Sequence, residues 1–450
     1  MSLGTCIGFD TRTRASDETD PEAMPMHDSA ARRLPSWLIG SGVIAGAMAV
    51  MNLGTYAFTI IAARVLGPAE YGALAAVMGL LLVVNVVSLG LQATGARRVS
   101  AAPDDLDRTE ADIMATGYKS AIGAGLVCLA AVPVVTSLLR LDSWMTAGMI
   151  ALTAIPQTIM GGQAGVLQGE RRWLPLAGIY LGVGLGRVGF GTAGLLLEHT
   201  TAAAMTGVAV GAVVPVIVGS LALGHRSRTS LRLERSRGRL PEVGRSRRVL
   251  RELAHNSHAL LAFFALSNVD VLIARVTLGE HQAGLYAGGL ILAKAVLFLP
   301  QFVVVVAFPS MSAADARTNM VLKALGMVLL IGLAATAFAY VFSGLAIEFI
   351  GGRAYAELAP LIWAFAAVGT IWAMTQLLVY NVVARQNKRM VVFIWAGMAA
   401  LVALAPAVGS VTFLLTAVIV IESLLLLVLI VLSVRRTRVP ADLTPADHSG

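Results

Sequence analysis

The chain has 450 residues, of which 57% are hydrophobic and 13% charged, with a mean hydropathy of +0.78 and a formal net charge of +8. That balance excludes a soluble multidomain enzyme. Aromatic residues at 6%, 45 glycines and the absence of apolar–polar alternation exclude a transmembrane β-barrel, which leaves an all-α polytopic membrane protein.

In chain order, residues 1–35 read as a polar, disordered tail, with no short apolar segment and small-residue cleavage site of the kind a signal peptide carries. Apolar runs long enough to cross a bilayer, about 20 residues each as helix, then follow one another. Six spans are expected at 36–63, 72–96, 117–139, 144–168, 173–196 and 201–224, forming a first lobe over 36–224. A basic linker over 225–252 separates them from six more at 254–275, 283–308, 321–347, 357–384, 390–408 and 411–434, the second lobe over 253–434. Only Pro406 and Gly409 divide the last two. A short tail, 435–450, ends the sequence.

The 34 Lys and Arg residues orient this topology, because cytoplasmic loops retain basic residues. With the N-terminus inside, 28 of them fall on the cytoplasmic face, while Arg64, Arg140, Arg275 and Arg353 fall on the outer face. The expectation is a multi-pass protein of the cytoplasmic (inner) membrane with both termini cytoplasmic. The Arg-rich segment from Arg226 to Arg251 is then a loop touching anionic lipid, and no nucleic-acid partner is needed.

The two halves repeat. Ala63-Arg64-Val65-Leu66-Gly67 with Gly72 and Ala75 reappears as Ala274-Arg275-Val276-Thr277-Leu278-Gly279 with Gly284 and Ala287, at a constant offset of 212 from Gly67 onward. An even number of spans in each half sets the relating axis along the membrane normal, a transporter plan with a path between the lobes.

Four ionisable side chains fall inside predicted spans: Arg187, Asp270, Lys294 and Glu422. Each costs at least about 2.5 kcal/mol at mid-bilayer unless it faces a cavity or a partner. Polar stripes run beside them. Asn85, Ser88 and Gln92 share a helix face, as do Lys294 and Gln301, and Trp372, Gln376 and Tyr380, while Asn52, Tyr56 and Thr59 mark the first span. The expected cavity set is Arg187, Lys294, Asn52, Asn85, Gln92, Gln301, Gln376 and Tyr380. The expected ion-coupling or gate set is Asp270, Glu422, Arg64 and Arg275. Structural pairing of Arg187 with Glu422, or of Lys294 with Asp270, is the competing reading.

Gly184-x-Gly186-x-x-Gly189 matches a dinucleotide fingerprint by letter, but it lies inside a membrane span with no preceding strand, so it reads as close helix packing together with Gly182. His258 shares a helix with Asp270, and His199 and His281 have no nucleophile in a recognisable context. Cys6 and Cys128 fall on different sides of the topology. No enzyme activity, cofactor or metal is expected.

Two segments carry a family resemblance: Ala63-Arg64-Val65-Leu66-Gly67-Pro68-Ala69-Glu70-Tyr71-Gly72, and Ser267-Asn268-Val269-Asp270 leading to Ala283-Gly284-Leu285-Tyr286-Ala287 and Phe308-Pro309. Leu167-Gln168-Gly169-Glu170-Arg171-Arg172 adds a weaker third. From about 36 to 434 the chain resembles the polysaccharide transporters of the multidrug/oligosaccharidyl-lipid/polysaccharide exporter superfamily, which include the Wzx-type O-antigen flippases. The resemblance implies two six-helix lobes in a V that opens to either side in turn. It also implies the cargo, an undecaprenyl pyrophosphate-linked oligosaccharide flipped for surface polysaccharide synthesis, with a polysaccharide polymerase or glycosyltransferase as an open partner. Joined to the intramembrane charges, it makes Arg187 and Lys294 the expected holders of the diphosphate. The alternatives are an ion-coupled multidrug or small-molecule exporter of the same superfamily, and a non-transporting scaffold or polysaccharide polymerase.

Overall fold

Glycines in backbone conformations open to almost no other residue cut the long apolar runs into separate traverses. Gly67 has φ 68° and ψ 178°, and Gly224 has φ 62° and ψ −151°. The structure, a computed structural model, describes residues 36–236, 243–307, 317–384 and 388–435. The expected tail over 1–35, most of that over 435–450 and the Phe308-Pro309 motif lie outside the described residues.

All regular structure among the described residues is helical. α1 (Ser36–Val84) contains the first traverse and most of the second, broken at Gly67, with Pro68 where its missing N–H is no loss at a helix start. α2 (Val86–Ala101) completes the second. α3 (Leu106–Leu138), α4 (Trp144–Gly169) and α5 (Trp173–Leu197) are single helices, and α4 starts under a cap in which Ser143 accepts from the Met145 N–H. α6 (Thr201–Gly211) and α7 (Val213–Ser236) form one traverse interrupted at Ala212, because Pro215 cannot donate to the Gly211 carbonyl. In the second half come α8 (Val243–Thr277), α9 (Glu280–Ala307), α10 (Arg317–Val341), α11 (Ser343–Ile350), α12 (Ile362–Ala384), α13 (Lys388–Leu404) and α14 (Val411–Arg435).

Eight helical stretches among the described residues are long and apolar enough to cross a membrane; one of them, Gly42–Ala101, is the 60-residue double traverse. Leu197, Leu221 and Leu330 stand exposed on them, as a lipid-facing belt requires. The protein is a multi-pass membrane protein of two helical lobes. Pro406 and Gly409 do separate two helices, α13 and α14. The basic linker departs from the expected loop: α7 continues to Ser236 beyond the Gly224 break, and α8 begins at Val243. Arginine and leucine are good helix formers, so 225–236 and 243–252 are helical despite their charge.

The lobes, α1–α7 and α8–α14, meet mainly through α1 and α2 against α8 and α9. Gly72 and Gly284, equivalent positions of the repeat, face each other. A Cβ on Gly72 would stand 2.9 Å from the Gly284 Cα, and one on Gly284 would collide with the Pro68 carbonyl. Equivalent residues touch only near the axis that relates them, so the pseudo-twofold axis passes between these glycines.

Arginines reach across this junction to main-chain carbonyls of the opposite lobe. Arg275 donates to the Leu139, Arg140 and Ala69 carbonyls at 2.9, 3.0 and 3.4 Å. Its repeat counterpart Arg64 donates to the Glu348 carbonyl at 2.5 Å. Arg140, held at φ 49°, returns the contact to the Arg275 and Leu278 carbonyls. Tyr355 donates to the Ala63 carbonyl at 3.2 Å. These charge-assisted bonds latch the lobes at the end of the molecule that has few arginines and lysines.

Gly284→Val is expected to push the lobes apart here. Spin labels at the exposed positions Asp142 and Glu280 would then show an added population at longer separation by pulsed electron resonance; a distribution identical to wild type would contradict the packing account.

Candidate functional site

The sequence builds α5 almost without side chains on two of its faces. Gly184 packs on Met51 of α1, where an added Cβ would meet the Met51 Cα at 2.7 Å. Gly186 lies against Gly211 of α6, with 2.5 Å from such a Cβ to the carbonyl oxygen, and Gly182 lies against Pro215 of α7. The letters of the dinucleotide fingerprint are thus helix-packing glycines, except Gly189, whose Cβ would meet nothing within 4 Å. Wedging α5 between α1 and the α6–α7 traverse leaves one direction for the long side chain between Gly186 and Gly189. Arg187 enters a cavity between the lobes.

This cavity, of about 310 Å³, is lined by α1, α2, α4, α5, the α6–α7 break, α8 and α9. It lies at the low end of the range of small-molecule pockets, about 300–1,000 Å³. Arg187 and Lys294 are the charged side chains among its lining residues, and Asn52, Asn85 and Gln92 line it too. Arg187 has no hydrogen bond or ion pair among the described residues, and neither do the side chains of Asn52 and Asn85. Lys294 donates to Asn268 Oδ1 at 3.2 Å.

Sequence reasoning missed Gln157 and Tyr180. Tyr180 accepts from Gln92 Nε2 at 2.8 Å, the same nitrogen that donates to Gln168 Oε1 at 2.9 Å. Tyr180 sits seven residues before Arg187 on α5, a spacing that puts both on one face and would have found it. Gln157 Oε1 is buried without a partner among the described residues, and an amide beside Pro156 in an apolar helix was the only signal.

Other expected cavity residues are elsewhere. Gln376 is 7% exposed and Trp372 2% exposed within the second lobe, and neither lines the cavity, because the stripe face of α12 turns into its own lobe, where α12 packs on α9, α10 and α14. The side chains of Gln301 and Tyr380 lie outside the described residues. Of the gate set, Arg64 and Arg275 are in the interlobe latch.

Asp270 and Glu422 are buried behind the cavity wall, in the second lobe. Asp270 accepts from the Tyr286 hydroxyl at 2.8 Å on one oxygen and from the Val271 N–H at 2.8 Å on the other. Glu422 sits beside Trp372, yet its Oε1 and the indole Nε1 each have no hydrogen-bonding partner among the described residues. Neither structural pair suggested by the sequence forms an ion pair: Arg187 is in the first lobe facing the cavity, and the Lys294 ammonium hydrogen-bonds to Asn268.

A family model described as "Polysaccharide biosynthesis protein" matches residues 38–315. No curated protein matches the chain. Among solved structures the chain is similar to a multidrug resistance MATE family transporter of the MOP superfamily in an inward-facing conformation, at 13% identity over 88% of this chain and 98% of that one, with a TM-score of 0.63. An outward-facing MATE family transporter of the MOP superfamily gives 14% identity, 89% and 94% coverage and a TM-score of 0.51. A MOP superfamily transporter from Pyrococcus furiosus, whose binding pocket is described as having reverse polarity, gives 14%, 88% and 94%, and 0.57. These likenesses show the fold.

An unpartnered cation at membrane depth costs about 2.5–3.5 kcal/mol by insertion scales. Arg187→Leu is therefore expected to keep or raise the thermal midpoint of the purified protein. Arg275→Leu should lower it, since each lost charge-assisted bond is worth about 1.5–3 kcal/mol. A thermal-shift assay in which both variants fall equally would make Arg187 a structural residue.

Proposed function

The chain belongs to the polysaccharide biosynthesis protein family, and from that premise we propose that it is a flippase that moves a polyprenyl diphosphate-linked oligosaccharide across the cytoplasmic membrane by alternating access. The observation that carries it is Arg187, a guanidinium that lines an interlobe cavity at membrane depth with no partner among the described residues.

A diphosphate cannot cross about 30 Å of hydrocarbon unaided. Its cost falls if the charge moves inside a cavity whose wall supplies fixed cations while the polyprenyl chain stays in lipid. Guanidinium fits phosphate oxygens in a planar fork, and the Lys294 ammonium keeps donor capacity after its bond to Asn268. The latch closes the cavity at the end that the charge distribution assigns to the outside, so the state described is the one that loads from the cytoplasm. Opening requires the Arg64, Arg140 and Arg275 contacts to break and the lobes to rock about the Gly72–Gly284 contact.

Asp270 and Glu422 are the carboxylates assigned to the driving ion. They sit one layer behind Lys294 in the lobe that must move, where a bound proton or monovalent cation alters the charge facing α9. Their position away from the cavity lining also counts against an exporter of cationic drugs, which needs its carboxylates against the cargo.

The test is complementation of a deletion strain, reading surface polysaccharide and the leaflet in which lipid-linked oligosaccharide accumulates. Wild type should restore surface glycan. A stably expressed Arg187→Ala, Lys294→Ala double variant should leave the intermediate in the inner leaflet at below about a tenth of wild-type surface glycan, and Asp270→Asn should remove the response to dissipating the ion gradient. Normal surface glycan in the deletion strain, with altered drug sensitivity, would move the protein to drug export.

A further inference from the structure

The two walls of the cavity differ in kind. Besides Arg187, the first lobe contributes the polar side chains of Asn52, Thr55, Asn85, Gln92, Gln157 and Tyr180, set among apolar ones such as Met78 and Leu81. Among the described residues the second lobe lines it with Val271, Ala287, Leu290, Ile291 and Phe298, and Lys294 is its single charged or amide-bearing contribution. The free hydrogen-bonding capacity is on the first wall as well. The Asn52 and Asn85 side chains have no partner among the described residues, and Gln157 Oε1 is buried without one. Buried polar atoms are nearly always paired in folded proteins, so the Gln157 oxygen, beside the half-buried amides of Asn52 and Asn85 on the same wall, marks a place where a ligand completes the bonding.

Amides offer both donors and acceptors and no charge. They match the hydroxyl and acetamido groups of a sugar. The charge inventory sharpens this: the described lining holds two cations and no carboxylate, and a diphosphate that bridges a lipid and a sugar carries about two negative charges. The diphosphate uses both. A third anion, such as the carboxylate of a uronic acid placed next to the diphosphate, would enter the membrane interior without a counter-ion, at a cost the amides cannot offset.

We propose that the first-lobe wall around Asn52, Asn85 and Gln157 is a subsite for the sugar directly attached to the diphosphate, and that it takes a neutral sugar. This rests on the flippase reading above and adds the location and charge class of the proximal sugar. It follows that the cargo travels as a passenger of the first lobe. The apolar wall of α8 and α9 makes no directional bond to the glycan and slides past it when the lobes rock.

The experiment is equilibrium binding to the purified full chain in lipid nanodiscs with three ligands: undecaprenyl diphosphate without sugar, the same lipid carrying one neutral hexose, and the same lipid carrying one hexuronic acid. Wild type is expected to bind the hexosyl lipid about tenfold or more tighter than the sugarless lipid, and the uronosyl lipid no tighter than the sugarless one. The Asn52→Ala, Asn85→Ala double variant, checked for an unchanged melting temperature, should bring the hexosyl-to-sugarless ratio to about one. Equal wild-type affinity for hexosyl and sugarless lipid, or uronosyl binding as tight as hexosyl, overturns the subsite while leaving the carrier reading intact. A wild-type protein that binds none of the three lipids removes the carrier reading and the subsite together.

Discussion

A positive charge held at membrane depth without a partner is the constraint around which this molecule is organised. Arg187 lies on a helix that the bilayer would accept more readily with leucine in its place, and the fold supplies it no carboxylate and no hydrogen bond among the described residues. The chain does contain intramembrane carboxylates, Asp270 and Glu422, but it buries them in the opposite lobe against Tyr286 and Trp372. Keeping cation and carboxylate apart across the cavity leaves the guanidinium for something that enters from outside the protein. The glycines of α5 make this possible, because close contact with α1, α6 and α7 fixes the helix so tightly that the arginine has only the cavity to occupy.

The junction between the lobes solves a different problem. Two bodies that must separate and re-form cannot be joined by a dry, interdigitated core alone. Here the closest approach is backbone to backbone at Gly72 and Gly284, flanked by arginines that bond carbonyl oxygens at helix ends and also pair with exposed carboxylates, Arg64 with Glu348 at 3.6 Å and Arg275 with Glu280 at 3.4 Å. Carbonyl acceptors let each of those bonds be exchanged for one to water, and the Glu348 and Glu280 side chains are exposed, so water can solvate them too when the latch opens. The repeat in the sequence becomes physical at this point, since Arg64 and Arg275, equivalent in the two halves, make equivalent crossings.

Much of this was legible in the sequence. Charge-free runs gave the traverses, and even the weakest division, at Pro406 and Gly409, separates α13 from α14, because proline and glycine together interrupt a helix whatever surrounds them. Arg187 and Lys294 stood out because ionisable residues are so rare in such runs. Periodicity tells which residues share a helix face but not where the face points, so Gln376 was assigned to a cavity from which its helix turns away. Tyr180 and Gln157 were missed because tyrosine and glutamine are tolerated in membrane helices. Arg140 was placed at the outer face but given no role there: its part in the latch depends on a left-handed backbone at a loop, which spacing does not encode.

The central claim is that Arg187 carries the anionic head group across, and the most direct measurement is lipid flipping by the purified full chain in proteoliposomes. A fluorescent undecaprenyl diphosphate-linked sugar is placed in both leaflets and its exposure outside is followed after the outer pool is quenched. The account predicts protein-dependent transfer that falls at least about tenfold in Arg187→Leu while the variant remains folded. Transfer at the wild-type rate in that variant, or none above empty liposomes in the wild type under an imposed ion gradient of either sign, would contradict it.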